Sequence, residues 1–307
     1  MIRNNMRRYL YYYVESGIPF GVAVESLEPG MLHSMVCVGH GRRSESWPAN
    51  CAVNYLVKEP SSSEGSMEFR SCWIVNSADA YESFVVMDDS ARPYETVHLE
   101  VASQNWTLPQ KHKDGLMQYA VEYLCVPLYK RVFLEVDGAA EVFATFLVGR
   151  MGFRTVMERM GIVDWLDYGK EKDKPLIVRI FLASSRTFLT QRMQALNQME
   201  PGQMDDACLE VYQNLFCPRF VWVCELYTQE SFVGETPKAI GEVVVDATAR
   251  RIGSMGGLDS IILTHYPHYI TYRDPDSSLV KLEKNERKLD IWSPFPQFRG
   301  NLRDFYA

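Results

Sequence analysis

A histidine, two aspartates and several cysteines are the residues of this chain that could carry chemistry. His33 begins a short apolar run, 33–39, and the pair Asp88 and Asp89 directly follows another, 83–87. A histidine at the start of a buried strand has a rigid backbone and one open ring face, and an aspartate on a neighbouring strand can hold its far nitrogen. These residue types are those of an oriented imidazole base, with Asp88 or Asp89 as the orienting group, and the same types also suit a buried structural histidine and a turn after a strand.

A thiol is the nucleophile that suits such a base, because a cysteine forms its reactive thiolate when a base lies within hydrogen-bond reach. The chain has seven cysteines, and none belongs to a C-x-x-C pair or a zinc-finger pattern. Cys37, Cys125 and Cys224 lie in apolar runs, which predicts reduced and mostly buried thiols. Cys51 and Cys208 each lie near a possible helix start, where thiolates are stabilised, and are the candidates for a nucleophile downstream of His33.

The elements that must position these residues are predicted to be a helix followed by strands. The pattern is helical from Asn4 to Ser16, and Gly17 is expected to cap the end of this helix. Alternating apolar residues then predict several strands. We expect residues 18–25, 33–39 and 83–88 to be neighbours in one antiparallel sheet.

This order of elements resembles the histidine-bearing half of papain-like cysteine peptidases, including the bacterial leader-peptide-processing branch. In that family the histidine strand follows the pattern H-A-x-x-x-x-G-Y-G. The equivalent positions here are held by His33, Ser34, Gly39, His40 and Gly41. The resemblance covers about residues 1–100 and implies thiol-peptidase chemistry, with His33 as base and Asp88 as its orienting partner. His40 stands where relatives have an aromatic residue, which predicts a packing role.

The sequence departs from that family in two ways. The 55 residues from His33 to Asp88 exceed a direct hairpin, and an insertion within the polar stretch 41–68 explains the length, since surface loops tolerate extra residues. The family's nucleophile precedes its histidine, with an oxyanion-hole glutamine just upstream, and residues 1–32 contain neither Cys nor Gln. Three explanations stay open: a truncated piece, a degenerate relative that keeps the fold, or a circularly permuted thiol hydrolase that uses Cys51 or Cys208.

The whole chain is predicted to be α+β, with a papain-like antiparallel sheet core and an additional mixed α+β region. A length of 307 residues allows one large domain or two smaller ones. We expect the papain-like His/Asp half to span residues 1–107 and an unrecognised α+β region, residues 108–307, to pack on it.

Polar residues within the second region have structural interpretations. Glu225 lies inside an apolar strand, and it either pairs with Arg219 or Arg179 or is a cleft carboxylate. His265 and His268 have no third ligand placed nearby, so aromatic packing is favoured over a metal site. We expect neither a metal nor a cofactor.

Composition and missing motifs exclude other classes. The formal net charge of −7 disfavours nucleic-acid binding, and no apolar stretch approaches the roughly 18 residues of a membrane span. Walker, G-x-G-x-x-G and G-x-S-x-G motifs are absent, which argues against nucleotide-binding proteins and serine hydrolases. We therefore expect a cytoplasmic protein.

The predicted function follows the family resemblance, and the missing nucleophile limits it. We expect a papain-like cysteine peptidase relative that is inactive as a peptidase when this chain is alone. Its expected partners are a peptide or protein ligand and a separate chain or upstream segment that carries the nucleophile. The alternative is a non-catalytic peptide-binding, protein-binding or scaffold module on the same fold.

Overall fold

The structure is a computed structural model. It describes residues 2–26, 32–41, 43–44, 47–48, 50–60, 66–88, 96–101, 106–109, 116–198, 206–249, 258–274, 279–283 and 295–298. Over these residues the chain is α+β, as predicted, with antiparallel and mixed sheets. Within the same ranges, no helix has the length and apolar character needed to cross a membrane.

The helices are short and are separated by strands along most of the chain. They are α1 (Ile2–Glu15), α2 (Val136–Val148), α3 (Phe153–Met160), α4 (Ser185–Asn197), α5 (Asp206–Asn214) and α6 (Gln229–Val233). The strands of the first half are β1 (Phe20–Ser26), β2 (Leu32–His40), β3 (Val53–Pro60), β4 (Met67–Asn76), β5 (Ser83–Met87), β6 (Thr96–Val101), β7 (Trp106–Pro109) and β8 (Leu116–Cys125). Those of the second half are β9 (Leu176–Ser184), β10 (Phe220–Tyr227), β11 (Lys238–Ala239), β12 (Gly241–Asp246), β13 (Ile261–Tyr266), β14 (Tyr269–Arg273), β15 (Leu279–Glu283) and β16 (Phe295–Pro296).

The chain forms two compact units, and neither is one continuous segment. Unit 1 contains the described residues of Met1–Trp47 and Ser77–Tyr129, and unit 2 contains those of Pro48–Asn76 and Lys130–Phe298. The boundary predicted at residue 107 falls inside β7, and the two units divide the chain at other positions. The predicted excursion at 41–68 supplies β3 and part of β4 to unit 2.

Unit 1 is a closed antiparallel barrel with the strand order β1–β2–β5–β6–β7–β8. The barrel closes because β8 pairs with β1. Alternate residues of its strands point inwards, so apolar side chains recur every second position and fill the interior. The buried apolar residues of this interior include Phe20, Val22, Val24, Met35, Cys37, Phe84, Val86 and Leu99. The predicted neighbours β1, β2 and β5 are adjacent in this sheet, as expected.

A bulge in β2 controls which of its side chains face the interior. The register shifts between Cys37 and Gly39. Cys37 pairs with Val86, and His40 pairs with Phe84, and both of these partners are buried. One extra residue in β2 therefore lets His40 face the same side as Cys37, which an unbroken alternation would not allow.

Helix α1 packs in unit 1 through both charge and aromatic burial. It ends at Glu15, and Gly17, the residue expected to cap it, has a φ of 72°, in the left-handed region that glycine adopts without strain. Arg7 and Arg8 both donate to Asp79 in the short 3-10 helix Ser77–Ala80, at 2.8 and 2.9 Å. These contacts fix the helix against the segment that precedes β5.

Unit 2 is built on an eight-stranded mixed sheet with the order β15–β14–β13–β12–β10–β9–β4–β3. Strand β4 pairs with β9 in parallel, and the other pairs are antiparallel. The central strands β10 and β13 are buried along their whole length, as expected for a sheet that is covered on both faces. Helices α4 and α5 cover one face through Phe188, Leu196 and Tyr212. On the other face, Phe153 of α3 contacts Tyr266.

A row of polar and charged side chains crosses the sheet on the face that packs against α4 and α5. Glu225 of β10 lies opposite Arg179 of β9 and Glu242 of β12, and Glu242 lies opposite His265 of β13. Glu225 accepts from Arg179 at 2.8 Å and from Arg192 of α4 at 2.6 Å. Glu225 is thus an ion-paired residue, and pairing with Arg179 is the one of the three alternatives left open by the sequence that the structure shows.

Opposite charges keep this buried carboxylate ionised. Burial alone would raise the pKa of Glu225, but Arg179, Arg192 and hydrogen bonds from the Tyr227 hydroxyl and the Phe298 backbone lower it below its ordinary value. Removing one member leaves a buried charge that is poorly compensated, which is more costly than the loss of an exposed pair.

We predict that Glu225→Gln lowers the free energy of unfolding by about 3–5 kcal/mol, because two buried guanidinium groups then lose their shared negative partner. Urea denaturation followed by circular dichroism measures the change. Asp167→Asn is the matched control, since it breaks the exposed pair with Lys174 and is expected to leave the denaturation midpoint unchanged. Equal effects of the two substitutions would show that the buried pairing does not stabilise unit 2.

Candidate functional site

His33 and Asp88 meet in unit 1. His33 is the second residue of β2, and Asp88 directly follows β5, its antiparallel neighbour. The His33 Nε2 lies 3.1 Å from the Asp88 Oδ1, so the contact expected from the sequence is present. The second aspartate candidate, Asp89, lies outside the described residues.

This pair lies where the barrel interior reaches the surface. The His33 side chain is 24% exposed and the Asp88 side chain is 9% exposed. Both side chains point towards the barrel interior, because side chains alternate along a strand. His33 lies two residues before the buried Met35 on β2, and Asp88 lies two residues after the buried Val86 on β5. The carboxylate is therefore mostly shielded, while part of the imidazole can be reached from solvent.

The contact also determines which ring nitrogen can act as a base. An ionised carboxylate only accepts hydrogen bonds, so Asp88 holds the ring proton of neutral His33 on Nε2. The lone pair then resides on Nδ1, which becomes the proton-accepting nitrogen. An imidazole held in this way has the orientation that a general base requires.

A second histidine–carboxylate pair on the same strand provides an internal comparison. His40 Nε2 lies 2.5 Å from Glu15 Oε1 of α1, and their side chains are 0% and 4% exposed. The His40 ring packs against Tyr81 and Tyr11, with centroid distances of 3.8 and 5.6 Å. The packing role predicted for His40 is confirmed, and this pair joins α1 to the barrel.

Packing explains one of the two glycines at the end of this strand. A Cβ atom added to Gly41 would collide with the Ser83 hydroxyl, so only glycine fits there without rearrangement. A Cβ atom added to Gly39 would lie 3.6 Å from Val85, which is an ordinary contact. The glycine at 41 is therefore required by close approach of β2 to β5.

The described thiols of unit 1 are not placed to react with His33. Burial raises the pKa of Cys37 to about 12, against a smaller lowering by a hydrogen bond to the Gly39 backbone, so this group stays a thiol at neutral pH. Cys125 is exposed at the end of β8. Within the described part of unit 1, no hydrogen bond joins a cysteine to His33.

The other candidate nucleophiles belong to unit 2. Cys51 is half-buried, and its backbone N–H donates to the Pro48 carbonyl. Cys208 lies on α5, and its imidazole neighbour is His265 of β13, at 3.9 Å. The sequence singles out Cys208 and His265 separately and does not predict this contact, because no local pattern links a helix to a strand more than fifty residues later.

Two other polar residues of unit 2, Asp246 and His265, have structural contacts. Asp246 accepts from the backbone N–H and the hydroxyl of Thr248, at 2.7 and 2.6 Å, which forms a turn after β12. His265 is buried among aromatic rings, including Tyr212 and Phe295. Among the residues that the structure describes, no group of three His, Cys, Asp or Glu side chains could hold a metal ion.

Comparison of the chain with protein-family models, with curated proteins and with solved structures finds no match. The interpretation of the site consequently depends on its own geometry and on the sequence resemblance described above.

We predict that the two histidines of β2 differ sharply in their effect on stability. His40→Ala removes the imidazole from a buried carboxylate and leaves a void, and should lower the free energy of unfolding by about 2–3 kcal/mol. His33→Ala is the matched control on the same strand, and it should lower the free energy of unfolding by less, because the His33 ring is 24% exposed and its loss leaves no sealed void. Urea denaturation compares both variants, and a larger loss for His33→Ala would contradict the assignment of structural and chemical roles.

Proposed function

We propose that unit 1 carries the base half of a papain-like cysteine peptidase site, with His33 as the general base and Asp88 as the group that orients it. The observation that supports this most directly is the 3.1 Å contact between His33 Nε2 and Asp88 Oδ1 on neighbouring strands. The family pattern predicts the same pair, although its two members lie 55 positions apart in the sequence.

In this proposal the reaction is acyl transfer to a cysteine followed by hydrolysis. The thiol proton moves to Nδ1 of His33 while the sulfur attacks the peptide carbonyl, and the imidazolium then gives that proton to the departing amine. Asp88 holds Nε2–H in place and stabilises the positive ring. Water completes the cycle by releasing the acyl group, with His33 again accepting a proton.

Partial exposure supports His33 as the reacting histidine of this unit. A general base must come within about 2.6–3.2 Å of the proton that it accepts, which requires an accessible nitrogen. The His33 ring is 24% exposed, whereas the His40 ring is sealed. The two rings have the same type of partner, and only one of them can meet a substrate.

The nucleophile is the missing member of the site. We propose that a cysteine on a segment outside these 307 residues supplies it, from an upstream part of the same polypeptide or from a separate chain. A permuted site with Cys51 or Cys208 is the competing enzyme proposal. Selective labelling of either cysteine by a thiol-reactive peptide electrophile, lost in His33→Ala, would favour that alternative.

A non-catalytic peptide-binding module is the alternative from another class. Strand addition is one way in which such modules bind extended peptides, and it needs a free sheet edge. The described strands of the barrel pair on both sides, so the barrel itself offers no such edge. A ligand of unit 1 would have to be held by side chains and loops around His33.

We predict that the purified 307-residue chain shows no cysteine-dependent proteolysis. Catalysis by an acyl-enzyme route needs a nucleophile and a base together, and removal of one member abolishes most of the rate. A fluorogenic peptide library, assayed with and without iodoacetamide, measures the activity. Turnover that disappears both with iodoacetamide and in His33→Ala would instead show that this chain contains its own nucleophile.

We predict that a polypeptide made from an extended reading frame, with a cysteine and an upstream glutamine before Met1, cleaves peptides. His33→Ala should reduce kcat by at least about 100-fold, because the base is lost, and Asp88→Asn should reduce it by a smaller factor. His40→Gln is the matched control: it weakens the fold and should leave the kcat of the folded fraction near that of the wild type. Absence of any such coding sequence, or activity that is indifferent to His33, would contradict the proposal and favour the binding module.

A further inference from the structure

A cysteine–histidine contact lies in unit 2, at one end of the row of polar residues formed by Arg179, Glu225, Glu242 and His265. Cys208 is the third residue of α5, and its Sγ lies 3.9 Å from Nε2 of His265 on β13. Tyr212, one turn further along the same helix, places its hydroxyl 2.9 Å from the other ring nitrogen, Nδ1. The imidazole is thus held between two side chains of one helix face.

The hydrogen bonds determine which nitrogen of His265 carries the proton. The two oxygens of Glu242 accept from Arg192, at 2.9 Å, and from the Tyr212 hydroxyl, at 2.6 Å. Because the hydroxyl proton is donated to Glu242, the Tyr212 oxygen accepts from Nδ1–H of His265. Nε2 therefore carries the lone pair and faces the Cys208 thiol.

The surroundings keep this imidazole neutral. Burial and the positive charge of Arg192 lower the pKa of His265 well below its ordinary value of 6.5, so the ring does not protonate at neutral pH. A neutral imidazole beside a thiol can accept the proton as the sulfur attacks. Cys208 also lies in the first turn of α5, where the backbone N–H groups favour a thiolate.

Access to this thiol is narrow but present. Cys208 is 8% exposed, whereas the buried strand cysteines Cys37 and Cys224 are 0% exposed. Such an approach favours small and uncharged reagents over peptides.

We propose that Cys208 and His265 form a nucleophilic thiol site that reacts with small, uncharged carbon electrophiles. The sulfur forms a bond to carbon, the leaving group departs with the electron pair of its bond, and the thiol proton passes to Nε2 of His265. At the same time the Nδ1 proton passes to the Tyr212 oxygen and the Tyr212 hydroxyl proton passes to the Glu242 carboxylate, so the ring stays neutral. Tyr212 and Glu242 also hold the ring in the required tautomer. The site is independent of His33 and of the peptidase proposal.

Alkylation of the full chain by iodoacetamide at neutral pH tests this site, with each cysteine quantified by peptide mass spectrometry. Cys217 is the matched control within the same molecule, because it is half-buried and burial raises its pKa to about 12. Although Cys208 is the more buried of the two, it should be alkylated at least about ten-fold faster. An equal or lower rate at Cys208 would overturn the proposal.

Two variants separate a chemical role of the imidazole from simple accessibility. His265→Gln should slow Cys208 by at least about ten-fold and leave the exposed Cys125 unchanged. Tyr212→Phe keeps the ring packing but frees the tautomer, and should slow Cys208 by a smaller factor. An unchanged Cys208 rate in folded His265→Gln would refute the base role.

Rapid labelling of Cys224 would show that a variant has unfolded, since this residue is fully buried in the wild type. In that case the wild-type comparison of Cys208 with Cys217 decides the question without any substitution.

Discussion

Two strands that are far apart in the sequence, β2 and β5, hydrogen-bond side by side, and the chemistry of unit 1 depends on this pairing. Their register fixes which residues face the barrel interior, so it brings His33 and Asp88 to the same side. Side chains alternate along a strand, and a slip by one residue would turn either group outwards. The barrel core, the close approach at Gly41 and the contacts of α1 all hold this register in place.

Burial, rather than residue type, separates the roles of His33, His40 and His265. His33 and His40 lie on the same strand, and each contacts a carboxylate from another element. Of these two rings, only that of His33 reaches solvent. His265 is as buried as His40, and its ring contacts a hydroxyl and a thiol. A charged imidazole is costly in a dry interior without a direct carboxylate partner, so His265 is restricted to its neutral form.

The local pattern of the sequence was sufficient to predict the elements around His33. Alternating apolar residues indicated β1, β2 and β5, and Gly17 marked the end of α1 correctly. Outside the part of unit 1 that the family resemblance covers, long-range pairing was not predictable in this way. Strand β4 pairs with β9, and Glu225 takes a second arginine, Arg192, from a helix. These partners are chosen by packing across the fold, which leaves no signature at a fixed spacing. For the same reason, no sequence pattern joins Cys208 to His265.

The path of the chain has a consequence for its synthesis on the ribosome. The polypeptide leaves the barrel after Trp47, supplies β3 and β4 to the other sheet, and returns at Ser77. Ile74 of β4 pairs with Leu176 of β9, which is synthesised roughly 100 residues later. At typical elongation rates, β4 is therefore without this partner for about 5–20 s. The remaining four strands of the barrel, β5 to β8, emerge within that interval. The barrel can therefore close while the β3–β4 hairpin, made earlier than four of the six barrel strands, still lacks its neighbour.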